Sequence, residues 1–170
     1  MTRAIAFVGM GSNLAHPRRQ IARATRRLAR LPRTKLVAVS RNYVTAPLGA
    51  HDQQPDYVNA VAILATALPP RALLARLLAL ERRQGRRRDA ATPRNAARSI
   101  DLDLLLYGRI RLATRALTLP HPRMHERAFV LRPLADVAPA ATITGRGLAR
   151  RHLARVRGQR IAPTRTHYQH

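Results

Sequence analysis

One stretch of the chain, residues 98–108, constrains its fold more than any other. Apolar side chains recur there at every second position, as in a β-strand with one buried face: Ile100, Leu102, Leu104 and Leu106. Gly108 ends the pattern. Because residues two apart on a strand point to the same side, Asp101 and Asp103 are predicted to lie together on the face opposite the apolar set.

The paired carboxylates of Asp101 and Asp103 indicate a cation site. Two carboxylates this close repel each other unless a cation or a shared proton lies between them. The chain has 8 acidic residues against 32 basic ones, so two acids at this spacing are unusual for it. Mg²⁺ suits such a pair, since it takes one or two carboxylates and completes its shell with water and substrate phosphates. An edge strand with a solvated acidic face would give the same spacing, so the motif alone leaves both interpretations open.

The remaining periodicities predict the order strand, helix, strand, strand, helix, strand. The predicted segments are a strand at 4–8, a turn at 9–13, a helix from Pro17, strands at 35–43 and 57–66, and a helix from Pro69 and Pro70 to Gly85. This order predicts an α+β protein with a ferredoxin-like βαββαβ core: an antiparallel sheet with helices packed on one face, plus a short C-terminal extension. We expect residues 1–141 to form the main domain and 142–170 a helix and basic tail of the same domain.

The net charge of +24 favours polyanionic partners, but it does not name one. RNA-recognition domains share the predicted order of elements, and their third strand carries aromatic residues that stack on bases. The corresponding residues 57–61 lack that motif, so an RNA-binding module is a weak alternative and no nucleic-acid partner is expected. No apolar run reaches the ~18 residues of a membrane span, and cysteine is absent, which excludes disulfides and thiol catalysis. A cytoplasmic monomer without a membrane partner is expected.

Four further features are candidate site elements. The loop at 45–56 is long for a compact domain, and such loops are more often functional than idle. Asn59 is a polar amide among apolar neighbours, which either binds a ligand or bonds local backbone. The arginine run at 82–88 is either a solvated loop or a phosphate clamp. His121 is held between two prolines and is therefore the better candidate for contacting a phosphate. His125 could simply be a surface residue.

Several separate motifs, in the same order, resemble those of the 6-hydroxymethyl-7,8-dihydropterin pyrophosphokinase family of the folate pathway. The motifs lie at residues 11–14, 47–49, 54–59, 81–88, 94–105 and 119–129. The resemblance extends from about residue 4 to about residue 139, and the family's ferredoxin-like α+β fold agrees with the order of elements predicted above. It implies transfer of the β,γ-diphosphate of ATP to the hydroxymethyl group of the pterin, with release of AMP.

The resemblance also implies a role for individual residues. Asp101 and Asp103 would hold two Mg²⁺ ions, and together with Arg86 and Arg98 they would form the catalytic set. The residues implied to contact ATP are Arg86, Arg88, Arg98, Thr118, His121 and Arg127. The residues implied to form the pterin slot are Thr45, Pro47, Leu48, Tyr57, Asn59 and Phe129. A paralogue that binds nucleotide or pterin without efficient transfer is the first alternative.

Overall fold

The computed structural model describes residues 2–49, 53–86, 91–92 and 97–165, and its centre is a six-stranded antiparallel sheet. The strands are β1 (Ala4–Ser12), β2 (Thr34–Val39), β3 (Tyr43–Thr45), β4 (Tyr57–Thr66), β5 (Asp101–Tyr107), β6 (Leu112–Ala113), β7 (Thr118–Leu119), β8 (Thr142–Ile143), β9 (Gly147–Leu148) and β10 (Ile161–Pro163). The helices are α1 (Pro17–Leu28), α2 (Pro70–Arg83) and α3 (Ala128–Val137), with 3-10 helices at Met124–Glu126 and Ala149–Val156.

The sheet has the strand order β10-β3-β4-β1-β5, and β2 also pairs with β4. Since β1 takes one edge of β4, β2 and β3 share the other edge, where they act as two parts of one interrupted strand. The first six major elements therefore follow the predicted βαββαβ order. The ferredoxin-like α+β class predicted from the sequence is confirmed.

Two boundaries differ from the prediction. The first strand does not turn at residues 9–13 but continues to Ser12, with Gly9 opposite Asp103 and Gly11 opposite Asp101. Glycine, which usually signals a turn, serves here to keep a strand face free of side chains. The second predicted strand is broken between β2 and β3, where the Ser40 hydroxyl takes the place of a backbone acceptor for the amide of Val61, at 2.9 Å.

Apolar side chains cover both faces of the sheet, so the expectation of helices on one face alone is wrong. Helices α1 and α2 pack on one face through a fully buried set that includes Leu28, Leu64, Leu73, Leu77 and Leu102. Helix α3 and the C-terminal segment cover part of the other face through a second buried set that includes Val61, Leu105, Leu131, Leu134 and Ile143. The uncovered remainder of this second face carries Asp101 and Asp103.

In the part of the chain that the structure describes, no helix combines the length and apolar character needed to cross a membrane.

Candidate active site

A cavity of about 600 Å³ opens on the α3 side of the sheet, over β1, β4 and β5. It brings together residues that lie far apart in the sequence and that the motifs had selected: Thr45, Pro47, Leu48, Tyr57, Asn59, Arg86, Arg98, Asp101, Asp103, His121, Arg127 and Phe129. Thr118 is exposed on β7 and is not among the lining residues that the structure describes. Arg88 lies outside the described residues. The cavity is therefore the candidate active site.

The alternation of β5 places the two carboxylates as predicted. Leu102 and Leu104 are 2% and 3% exposed and belong to the core under α1 and α2, whereas Asp101 and Asp103 line the cavity on the opposite face. Both carboxylates lie opposite a glycine of β1, so the neighbouring strand leaves open space beside them. The β5 register is thus what brings the acidic pair into the cavity.

Asp101 is held between two arginines. Arg98 donates from Nη1 to its Oδ2 at 2.9 Å, and Arg86 forms an ion pair with its Oδ1. The same Nη1 of Arg86 also lies 3.2 Å from Oε1 of Glu81. Positive charge is therefore already ordered at the edge of the cavity, where an anionic substrate would meet it.

Glu81 was not predicted as a site residue, yet it contacts both Arg86 and the backbone of β5 beside Asp101. Its side chain is 2% exposed, and its Oε1 accepts a hydrogen bond from the amide of Leu102 at 2.8 Å. Since Leu102 lies between Asp101 and Asp103, this bond ties α2 to the β5 backbone at the acidic pair. The sequence signals of Glu81 were its place at the start of the motif at 81–88 and its position among the apolar residues of the predicted helix.

The carboxyl group of Asp103 has a strongly raised pKa. Burial, followed by the negative charge of Asp101, raises its pKa from 3.8 to about 7, although the positive charge of Arg127 acts in the opposite direction. A carboxyl group with this pKa is only partly ionised near neutral pH. The site therefore favours a cation beside Asp103, because a cation would stabilise the ionised form.

The two carboxylates fit Mg²⁺ that arrives with phosphates. Within the described residues there is no group of three or more His, Cys, Asp or Glu side chains that could enclose a metal ion. A pair of carboxylates open to a cavity instead matches a cation that takes its other ligands from water and a polyphosphate. The donor set of Asp101 and Asp103 is thus suitable for Mg²⁺.

His121 is held as a neutral hydrogen-bond donor. Its backbone amide bonds the carbonyl of Leu105 at 2.8 Å, and its ring Nδ1 accepts a hydrogen bond from the amide of Arg123 at 3.3 Å. Burial, with a smaller contribution from the charge of Arg127, lowers its pKa from 6.5 to about 4. With Nδ1 acting as acceptor, the proton is on Nε2, which can donate to a phosphate oxygen.

Across the sheet from Asp101, with Gly11 of β1 between them, Asn59 of β4 is fixed by a long-range contact. Its Nδ2 donates to the hydroxyl of Thr45 at 2.7 Å, which rules out the interpretation that it only bonds local backbone. Its Oδ1 lies so close to Gly11 that a Cβ atom there would be 2.8 Å away. The amide is thus held in one orientation on the cavity floor.

Two aromatic rings of the cavity each lie beside an arginine. The guanidinium of Arg98 is 5.9 Å from the ring centre of Tyr57, and that of Arg127 is 5.5 Å from the ring centre of Phe129. The aromatic residues therefore connect the amide end of the cavity, with Asn59, to the charged end. This arrangement suits a ligand that carries a flat ring and a phosphate-bearing group.

Asn13, which the sequence placed in a predicted turn and in the motif at 11–14, joins two segments beside the cavity. Its Oδ1 accepts from the amide of Arg98 at 2.8 Å. Its Nδ2 donates to Oε1 of Gln54 at 3.1 Å and to the carbonyl of Pro55 at 3.2 Å. It holds the segment before β4 against the segment before β5.

Comparisons with known proteins agree with this geometry. A model of the family described as 7,8-dihydro-6-hydroxymethylpterin-pyrophosphokinase matches residues 7–139. The chain is 52% identical over 133 residues to the 2-amino-4-hydroxy-6-hydroxymethyldihydropteridine pyrophosphokinase of Pseudomonas aeruginosa, which covers 78% of this chain and 80% of the relative. The protein of the same name from Haemophilus influenzae is 44% identical over 133 residues, covering 78% of this chain and 81% of the relative.

A solved structure supports the fold. The crystal structure of Plasmodium falciparum HPPK-DHPS wild type with pteroate aligns with a TM-score of 0.70 and 13% identity. The alignment covers 90% of this chain and 42% of that one, so the chain spans less than half of that protein. The family model and the two relatives, by contrast, cover most of this chain at high identity. The chain therefore belongs to the 7,8-dihydro-6-hydroxymethylpterin-pyrophosphokinase family, and it is a diphosphotransferase enzyme that uses ATP.

Proposed function

We propose that this enzyme transfers the β,γ-diphosphate of ATP to the hydroxymethyl group of 6-hydroxymethyl-7,8-dihydropterin, which gives AMP and the pterin diphosphate for folate biosynthesis. One observation carries the proposal: a single cavity is lined by an acidic pair, four arginines, a fixed amide and two aromatic side chains. A polyphosphate and a flat, amide-bearing ring match the two ends of this cavity. We further propose that the enzyme is a cytoplasmic monomer whose partners are these small molecules.

Asp101 and Asp103 are the residues that would hold two Mg²⁺ ions with ATP, and such ions would neutralise phosphate charge and align the transferred group. The protein's own contribution is to fix both carboxylates before substrate arrives. The β5 register and the Glu81–Leu102 bond do so from the strand side, and Arg98 does so from the cavity side.

The arginines and His121 would bind the phosphates. Arg86 and Arg98 are already ordered beside Asp101, so little side-chain reorganisation is needed when charge shifts along the triphosphate during transfer. Arg127 adds positive charge beside Asp103, and neutral His121 adds an Nε2–H donor that needs no proton uptake. Arg88 remains a proposed ATP contact on the strength of its motif, and Thr118 on the strength of the family resemblance.

The pterin would bind at the amide end. Asn59 offers a carboxamide, held by Thr45, that can pair with the donor and acceptor atoms of a pterin edge. Tyr57 and Phe129 offer ring faces, and the segment with Pro47 and Leu48 offers backbone groups. Recognition of a buried polar edge by fixed hydrogen-bond partners discriminates strongly against rings that lack those groups.

The test is a product assay. The protein is incubated with ATP, Mg²⁺ and 6-hydroxymethyl-7,8-dihydropterin, and the products are identified by mass spectrometry. Pterin-dependent AMP with an equal amount of pterin diphosphate is the expected result. Release of ADP with a pterin monophosphate, or no product although both substrates bind, would refute the proposed reaction. Omission of the pterin controls for ATP hydrolysis.

A further inference from the structure

The segment that follows the matched family region returns to the cavity. The family model ends at residue 139, whereas Gln159 lies among the residues that line the cavity. The chain reaches it from the 3-10 helix Ala149–Val156 and continues into β10, which pairs with β3 so that Ile161 lies opposite Thr45. The end of the sheet is therefore completed by residues to which the sequence assigned no role.

Gln159 makes two hydrogen bonds that lie on either side of Arg127. Its Oε1 accepts from the amide of Ala128 at 2.8 Å, and its Nε2 donates to the carbonyl of Glu126 at 2.8 Å. The first residue of α3 is Ala128, and no side chain of the adjoining cap residue bonds the helix start. Gln159 thus supplies, from a distant segment, a partner that helix N-termini need.

The position of the Arg127 side chain depends on the backbone between Glu126 and Ala128, which Gln159 bonds on both sides. Its guanidinium lies over the ring of Phe129 at 5.5 Å, and both side chains line the cavity. Arg127 is the residue at which the extended chain enters α3, so rotation of its backbone would move its side chain and the first turn of the helix together. The two bonds of Gln159 oppose that rotation.

A second contact anchors the segment that carries Gln159. Arg160 forms a two-pronged ion pair with Asp56, with Nη1 to Oδ2 at 3.1 Å and Nη2 to Oδ1 at 2.7 Å. Asp56 directly precedes Tyr57 at the start of β4. The same short segment is therefore attached both to the start of β4 and to the start of α3, which hold the two aromatic residues of the cavity.

We propose that Gln159 is a positioning residue for the reaction: it fixes the Arg127 peptide so that Arg127 and Phe129 face the cavity. The inference rests on the proposed function, in which Arg127 binds phosphate and Phe129 binds the pterin. It adds a residue outside the matched family region to the machinery of the site.

The test compares Gln159→Met, which keeps the side-chain length but removes both hydrogen bonds, with the wild-type enzyme. Loss of both hydrogen bonds predicts a fall in kcat/KM of roughly 5- to 150-fold, which corresponds to about 0.5–1.5 kcal/mol for each bond. We expect KM for ATP and for the pterin to rise, and the thermal midpoint to fall by a few degrees because the two bonds also stabilise the start of α3. Arg157→Ala, at an exposed position of the same segment, is the matched control and should keep wild-type kinetics.

A double-mutant cycle distinguishes positioning from general destabilisation. If Gln159 acts through the Arg127 peptide, Gln159→Met should lower kcat/KM by a clearly smaller factor in the Arg127→Met background than in the wild type, because only the effect through Phe129 remains. Full multiplication of the two effects, or wild-type kinetics in the single variant, would overturn the proposal. Turnover by the wild-type enzyme tests the proposed function separately. If the wild type shows no turnover, the same double-mutant cycle, with the Kd of MgATP measured by calorimetry in place of kcat/KM, still decides the role of Gln159.

Discussion

Substitution of Gly11 by alanine tests the orientation of Asn59, on which the proposed pterin recognition depends. An added Cβ would lie 2.8 Å from Oδ1 of Asn59, a distance at which the amide must move. Asn59 is 5% exposed and bonded to Thr45 at 2.7 Å, so it has little free space into which to move. We therefore expect Gly11→Ala to turn or displace the amide while the strand itself forms normally.

The magnitude follows from the bonds at risk. Loss of one aligned hydrogen bond, with a buried polar group left unsatisfied, costs about 1–3 kcal/mol. Because every 1.4 kcal/mol is a factor of ten in affinity, the Kd of the pterin should rise by roughly 5- to 150-fold. The Kd of MgATP should change less than that of the pterin, because the atoms nearest to the added Cβ belong to Asn59 and Tyr57, although Gly11 also pairs with Asp101 across the sheet.

The assay is isothermal titration with each substrate, and Gly9→Ala is the matched control. Gly9 lies on the same face of β1, but its added Cβ would meet Leu105 at 3.5 Å, an ordinary contact distance. We expect this variant to bind the pterin within about threefold of the wild type. An unchanged pterin Kd in Gly11→Ala, with a crystal structure showing that Asn59 had moved, would refute its role as the residue that reads the pterin edge.

Three further results are expected. Asp103→Ala should abolish turnover while the fold survives. Since the pKa of Asp103 is about 7 in the folded enzyme and 3.8 without the fold, the free energy of unfolding of the wild type should fall as pH rises through this interval. Denaturation at about pH 4 and about pH 8 should show that the variant lacks this loss of stability. His121 should titrate near 4 in nuclear magnetic resonance spectra of the free enzyme, and a midpoint near 6.5 would contradict its burial. Because its pKa is lowered in the folded enzyme, His121 should reduce the free energy of unfolding as pH falls from 6.5 towards 4. Glu81→Gln should keep an acceptor for the Leu102 amide but remove the ion pair with Arg86. We expect kcat/KM for ATP to fall about tenfold with little change in melting temperature. Steady-state kinetics equal to those of the wild type would show that Asp101 alone is enough to position Arg86.

The parts of the fold that were predictable are those with strong local periodicity. The β5 alternation placed Asp101 and Asp103 on the cavity face, and the prolines marked the starts of α1 and α2. These features depend on neighbours a few residues apart. Family motifs then selected most of the cavity-lining residues, which no periodicity could have joined.

The parts that were missed depend on distant contacts or on an atypical local signal. Helix α3 contains Pro133 and follows a segment dense in prolines and charges, so it did not stand out as a second helical layer. Gln159 bonds residues that are 31 and 33 positions away, and nothing near it in the sequence indicates that partnership. Gly9 and Gly11 suggested a turn, since the close approach of Asn59 to Gly11 comes from the neighbouring strand and leaves no signal in the local sequence.

The strand register links the core to the chemistry. Because side chains alternate along β5, a slip of one residue would bury both carboxylates under α2 and turn Leu102 and Leu104 towards the cavity. Pairing with β1 opposes such a slip, and so does the bond from the Leu102 amide to Glu81, whose carboxylate is itself buried. A buried carboxylate is costly unless it is paired, and Glu81 meets that need with Arg86. The interaction that fixes the register therefore also orders one of the arginines proposed to bind phosphate.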